Sequence, residues 1–199
     1  MSSNAKTLYF GYGSNLWIHQ MNIRCPENKF VGTARLPDWR WIINARGYAN
    51  VVPSAGDEVW ALLYELSPAD EEKLDGYEGV PTSYVKQTLP VEYFGNGNKG
   101  KGYGEMRDGK RMVDALVYVD VERTTGGHPP KREYIFRMNS AIKDALAEGV
   151  PKAYIEKYLR PCIPPDDSIP NDAKERVKNT IESAIERLNS ASPGSHNSA

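Results

Sequence analysis

The chain has 199 residues, which fits one domain with at most a short appendage. Its formal charge of −1, with 25 basic and 26 acidic residues, gives no basic surplus for a nucleic acid or an acidic membrane. No apolar run approaches the roughly 20 residues that span a bilayer, the first six residues lack the apolar core of a secretion signal, and the two cysteines, Cys25 and Cys162, stand far apart. Free thiols and a cytoplasmic location are therefore expected.

In chain order, residues 7–10 form a short apolar strand that runs into a glycine-bracketed turn, Gly11-Tyr12-Gly13. Ser14 and Asn15 are good helix N-cap types. The spacing predicts a helix over 17–24, stopped at Cys25-Pro26, then strands at 30–36 and 39–44 parted by Pro37-Asp38. Residues 47–56 read as turns around Pro53. Residues 58–66 are the cleanest strand, apolar on both faces at the centre, which predicts burial on both sides. Ser67-Pro68 is a helix start, with Ser67 as cap and Pro68 in the first turn, and the helix ends near Gly76.

Residues 84–94 and 113–121 are further strands. Between them, 95–109 carries six glycines and several lysines, the composition of a flexible hairpin tip. Lys99, Lys101, Lys110 and Arg111 make it locally basic. Helices are predicted at 132–148, ended by Gly149, and at 152–159. An extended proline-rich stretch covers 161–170, and Asp172 caps a last amphipathic helix with Val177, Ile181, Ala184, Ile185 and Leu188 on one face. The polar end, 190–199, reads as disordered. Strands gather in the first two thirds and helices in the last third, so the class is α+β.

The chemistry concentrates in two places. Gly11 and Gly13 let the backbone approach a ligand closely, and N–H groups at a strand-to-helix turn suit a carboxylate or a developing oxyanion. A Walker loop is excluded because no Gly-Lys-Ser/Thr follows, and a dinucleotide fingerprint because Leu16 stands where its third glycine belongs. The second place is Leu74-Asp75-Gly76-Tyr77-Glu78-Gly79-Val80. A glutamate between Tyr77 and Gly79-Val80 is set for desolvation and a raised pKa, as a general base or acid requires. Read alone, a glutamate just past a helix end is more often a solvated carboxylate. The histidines, His19, His128 and His196, match no metal spacing, so neither a metal nor a cofactor is expected.

Four segments in register carry a resemblance: Tyr9-Phe10-Gly11-Tyr12-Gly13-Ser14-Asn15-Leu16, Ala34-Arg35-Leu36-Pro37-Asp38-Trp39, Gly56-Asp57-Glu58-Val59-Trp60, and the Glu78 segment followed by Tyr84-Val85. Over about 8–159 the chain resembles the gamma-glutamylcyclotransferases. The resemblance implies a small mixed β-barrel with peripheral helices over 7–160, followed by a helical extension at 161–189. It implies that Glu78 is the catalytic glutamate. Tyr12, Gly13, Ser14, Asn15, Leu16 and Trp17 would hold the glutamyl moiety, and Tyr84 and Tyr134 would line the pocket. The substrate would be a small γ-glutamyl compound, cyclised to 5-oxoproline without a cofactor. Ser14-Asn15-Leu16 favours the dipeptide-type enzyme over the branch that cleaves glutathione. The long hairpin at 95–109 and the charged Lys131-Arg132-Glu133 bear on substrate choice. A non-catalytic binding protein on the same scaffold, or a cyclotransferase for a larger γ-glutamyl conjugate, stays open at this point.

Overall fold

The computed structural model describes residues 6–95 and 103–165, together with 175–176, 178–180, 182–183 and 187. Among the described residues six strands form one sheet: β1 (Thr7–Gly11), β2 (Lys29–Ile43), β3 (Ala49–Leu66), β4 (Val85–Gly95), β5 (Glu105–Arg107) and β6 (Lys110–Val119). Their order is β1-β3-β2-β4-β6-β5, antiparallel throughout, and β1 also meets β6 in parallel at Tyr9 and Leu116. The sheet is accompanied, among the described residues, by helices α1 (Ile18–Arg24), α2 (Pro68–Glu78), α3 (Arg132–Ala147) and α4 (Lys152–Tyr154), the last continuing as one wide π turn over Ile155–Leu159. No described helix is long and apolar enough to cross a membrane.

The centre of β3 is buried on both faces, with Ala61, Leu62, Leu63 and Tyr64 fully enclosed, and β1 and β2 pair along its two edges there. The two strands expected at 30–36 and 39–44 are one strand, and the turns expected at 47–56 belong to β3. The breaking residues act without ending either strand. Asp38 takes a left-handed φ of 60°, and pairing jumps from Pro37–Glu58 to Trp39–Pro53, so residues 54–57 bulge out of β3. The Gly56 N–H donates to Asp38 Oδ1 (2.9 Å), and the Ser54 and Tyr158 hydroxyls donate to Asp57 (2.8 and 2.7 Å). Pro53 sits where β2 is the neighbouring strand of β3, a setting that tolerates a missing N–H.

Helix α2 starts as the sequence predicts, with Ser67 Oγ accepting from the Asp70 N–H (3.2 Å) and Pro68 in the first turn. It runs past Gly76 and stops at Gly79, whose left-handed φ of 66° lets the Gly79 and Val80 N–H groups return to Gly76 and Asp75. Ser14 and Asn15 do not open a helix as caps. They lie inside a short 3₁₀ turn (Ser14–Leu16), and α1 begins only at Ile18. Of the hairpin expected at 95–109, residues 96–102, with Lys99 and Lys101, lie outside the described residues, and β5 pairs with β6 next to them. The end of the proline-rich stretch, Asp172, the apolar face from Val177 to Leu188 and the tail at 190–199 lie outside them as well. Cys25 and Cys162 are both free thiols.

Gly32 marks the tightest approach in the sheet. Its φ is 143°, and a Cβ there would stand 2.4 Å from the Gly95 carbonyl carbon, where β2 meets β4. Gly32→Ala is expected to cost about 3 kcal/mol, against about 1 kcal/mol for loss of the α2 cap in Ser67→Ala. Urea unfolding of the two variants checks the ranking.

Candidate active site

Glu78 is the last residue of α2, and the left-handed turn at Gly79 leaves its side chain against the 3₁₀ turn. Asn15 receives it. The Asn15 amide nitrogen donates to Glu78 Oε1 (3.1 Å) and to the Tyr9 hydroxyl (2.8 Å). The Asn15 Oδ1 accepts from Gln20 Nε2 (2.8 Å) and from an Arg24 guanidinium nitrogen (3.0 Å). Both N–H groups and both lone pairs of this amide are used. Gln20, fully buried, also donates to Ser14 Oγ (3.1 Å). Tyr64 donates to the Asn15 carbonyl (3.1 Å) and Trp41 Nε1 to the Tyr12 carbonyl (3.2 Å), so the core fixes the turn's backbone.

These groups line a cavity of about 220 Å³. Tyr12, Gly13, Ser14, Asn15, Glu78, Tyr84 and Tyr134 are all in its wall, brought together from four parts of the chain. Leu16 and Trp17, named with them from the sequence, are not. Leu16 is fully buried in the core, and Trp17 packs edge-on against Phe136 at 6.0 Å. Successive residues of a helical turn face different ways, so a contiguous motif cannot send every side chain into one cavity. Gly13 lies close under the Tyr134 hydroxyl. A Cβ on it would stand 2.9 Å from the Tyr134 hydroxyl. Burial pushes the Tyr134 phenol up to about 12, and the Tyr84 hydroxyl donates to the Ala49 carbonyl (2.8 Å), so both serve as neutral hydrogen-bonding groups.

The sequence reading does not assign to the site Arg24, Arg46 and Arg137, which also reach the cavity, nor the tyrosines Tyr9, Tyr48, Tyr77 and Tyr118, although Tyr9 and Tyr77 stand inside its motifs. Gln20 and Arg24 stand four apart on α1, a spacing that puts both on one helix face and was available as a signal. Arg46 lies in the β2–β3 connection and Arg137 in the middle of α3, and nothing local marks either. Arg137 is engaged by a fork to Glu133 (2.8 and 3.0 Å) and donates to Ser14 Oγ (3.1 Å). Arg24 lies over the Tyr77 ring and stands 3.9 Å from Glu78 Oε1.

Burial pushes the Glu78 carboxyl above the ordinary glutamate range, and the nearby Arg24, the Asn15 hydrogen bond, Arg137 and Arg46 oppose that only in part. A carboxyl whose pKa is raised in this way is a stronger base than an ordinary glutamate, which suits proton transfer. The rest of the wall supplies neutral hydroxyls and cations, an arrangement for a small anionic ligand undergoing proton transfer.

Comparison with known proteins gives one consistent family. The family model described as gamma-glutamyl cyclotransferase, AIG2-like, matches residues 9–134. The gamma-glutamylcyclotransferase of Homo sapiens is 35% identical over 191 residues, covering 90% of this chain and 88% of its own. That of Bos taurus is 28% identical over 191 residues, with the same coverage. A solved gamma-glutamyl cyclotransferase superposes with a TM-score of 0.64 at 24% identity, covering 90% of this chain and 99% of its own. An uncharacterized human protein superposes similarly, with a TM-score of 0.65 at 24% identity over 89% of this chain and 98% of its own.

The raised Glu78 pKa has a sign that stability measurements can read. Folding favours the protonated form, so the stability it contributes is whole below the unfolded value near 4.5 and is lost as pH rises through the higher folded value. Glu78→Gln keeps an acceptor for Asn15 and removes the buried charge. The variant is expected to be more stable than the wild type at neutral pH, with the gap closing below about pH 4. Denaturant titrations at several pH values check this.

Proposed function

The chain belongs to the gamma-glutamyl cyclotransferase, AIG2-like family, and from that membership we propose that it converts a γ-glutamyl compound into 5-oxoproline and a free amine, with Glu78 carrying the protons. The observation that carries the residue assignment is Glu78 itself: a buried carboxyl with a raised pKa, held by Asn15 in the wall of a small cavity.

The substrate brings its own nucleophile, the α-amine, and its own electrophile, the γ-carbonyl carbon. Curled inside the cavity, the two meet within one molecule, and positioning supplies much of the rate. Glu78 accepts a proton from the α-amine as its nitrogen bonds to the γ-carbon. The carbonyl oxygen becomes an oxyanion facing the N–H groups of the Gly13–Asn15 turn. The γ-carbon–nitrogen bond then breaks, and Glu78 returns the proton to the departing amine. The carboxylate ends as it began. Tyr12, Ser14, Tyr84 and Tyr134 form the polar wall that holds the glutamyl part, while Leu16 and Trp17 act from behind by fixing the turn in the core.

We read residues 7–160 as the catalytic unit, and the β1–β6 pairing as the closure of a small barrel. The two unpaired cysteines support a reducing compartment such as the cytoplasm.

The expected result is 5-oxoproline release from γ-glutamyl-alanine by the wild type, with kcat reduced at least about 100-fold in Glu78→Gln. Near-normal turnover by the variant removes Glu78 from the mechanism. Release from glutathione in place of the dipeptide moves the chain to a different substrate.

A further inference from the structure

The three arginines of the cavity are not equivalent. Arg137 is neutralised by its fork to Glu133; Arg24 has one buried nitrogen, Nε, without an acceptor, but it donates to Asn15 and stands beside the Glu78 carboxylate. Arg46 has no ion-pair partner among the described residues, and one of its terminal guanidinium nitrogens is buried with no hydrogen-bond acceptor. Its guanidinium lies over the rings of Tyr48 (5.8 Å) and Tyr84 (5.7 Å), both in the cavity wall. A buried donor without an acceptor costs free energy, and a charged one costs more. A guanidinium left so is complete only when something else supplies the oxygen.

The loop that carries it is built stiffly. The Arg46 N–H donates to Asn44 Oδ1 (3.0 Å), and the Gly47 N–H donates to the Asn44 carbonyl (2.9 Å). Asn44 is fully buried, and its amide donates to Asp120 Oδ2 (2.9 Å). Gly47 has a φ of 82°, and a Cβ there would stand 2.9 Å from Lys131, so the turn is closed against α3. The guanidinium is presented by a preorganised backbone, which is what a specificity contact needs.

The charge of the cavity points the same way. Three guanidiniums and one carboxylate, Glu78, are in the wall, and only Arg137 has a carboxylate partner of its own, Glu133, so the lining is cationic. A γ-glutamyl amino acid carries two carboxylates and one ammonium and is a monoanion, which suits a cationic lining. A γ-glutamyl amine lacks the second carboxylate and is neutral. The fork of Arg46 matches a carboxylate in geometry as well as in sign.

We propose that Arg46 is a specificity-determining residue that receives the α-carboxylate of the leaving amino acid, so that the enzyme takes γ-glutamyl amino acids in preference to γ-glutamyl amines. This rests on the cyclotransferase reading of the same site. The glutamyl part is left to the polar wall of Tyr12, Ser14, Tyr84 and Tyr134, and Arg46, entering from the β2–β3 connection, meets the other end of the substrate.

The test compares kcat/KM for γ-glutamyl-L-alanine with that for γ-glutamyl-ethylamide, the same molecule without the leaving group's carboxylate. The wild type is expected to prefer the alanine compound by about 100-fold or more, the loss typical of an unpaired buried charge contact. In Arg46→Met the preference is expected to collapse toward unity, and in Arg46→Lys, which keeps the charge without the fork, to fall between. A wild type that handles both compounds equally overturns the proposal, whatever the fate of the variants. So does an Arg46→Met enzyme that loses both activities in parallel and keeps the wild-type ratio, since Arg46 then serves the glutamyl end. Release of no 5-oxoproline from either compound by the folded wild type overturns the cyclotransferase reading itself and takes the proposal with it.

Discussion

The side-chain amide of Asn15 is the contact on which the site depends. It joins the 3₁₀ turn to β1 through Tyr9, to α1 through Gln20 and Arg24, and to the end of α2 through Glu78. Its orientation is fixed by chemistry, because Gln20 and Arg24 are donors and only the oxygen can face them. The nitrogen therefore faces Glu78. The same contact governs the proton chemistry. Arg24 is closer to Asn15 Oδ1 (3.0 Å) than to Glu78 (3.9 Å), so its charge is shared with the amide and not spent on a tight ion pair. A close pair would hold the carboxylate ionised and too weak a base. With the amide interposed, burial prevails and Glu78 stays able to change protonation.

The fold serves this arrangement by bringing far parts of the chain together. β1 lies between β3 and β6, so the turn that follows it opens beside the middle of the sheet. The Tyr12 hydroxyl donates to the Tyr118 carbonyl (2.6 Å), which fastens the turn to the end of β6. α2 is started by its Ser67 cap and stopped by Gly79, and that length delivers Glu78 to the turn. Tyrosine suits the wall because its ring packs against the core while its hydroxyl reaches the polar interior. Burial raises the phenols of Tyr9, Tyr12, Tyr84 and Tyr134, so the wall stays neutral and the working charges remain Glu78 and the arginines.

What the sequence discloses follows the range of each interaction. Ser67, Pro68 and Gly79 act on their own neighbours, so the start of α2 is legible, although Gly76 inside the helix made its end look nearer than it is. Pro37, Asp38, Pro53 and Gly56 are true local breaks, yet pairing between β2 and β3 resumes beyond them, and only the register shows that. Two of the four segments contain the turn and Glu78, and the resemblance of all four in register is what singles them out. The motifs do not mark Arg46 and Arg137, which reach the cavity wall through contacts far apart in sequence, Arg46 with Tyr84 and Arg137 with Ser14. Leu16 and Trp17 show the converse: adjacency in a motif says nothing of which way a side chain points.

The central claim is that the substrate's own amine, not water, attacks the γ-carbonyl while Glu78 moves the proton. Turnover of γ-glutamyl-alanine in water enriched in oxygen-18, with the products weighed by mass spectrometry, tests it most directly. The account predicts 5-oxoproline free of the heavy isotope and no glutamate. Glutamate carrying one oxygen-18 in its γ-carboxylate would show attack by water and contradict it.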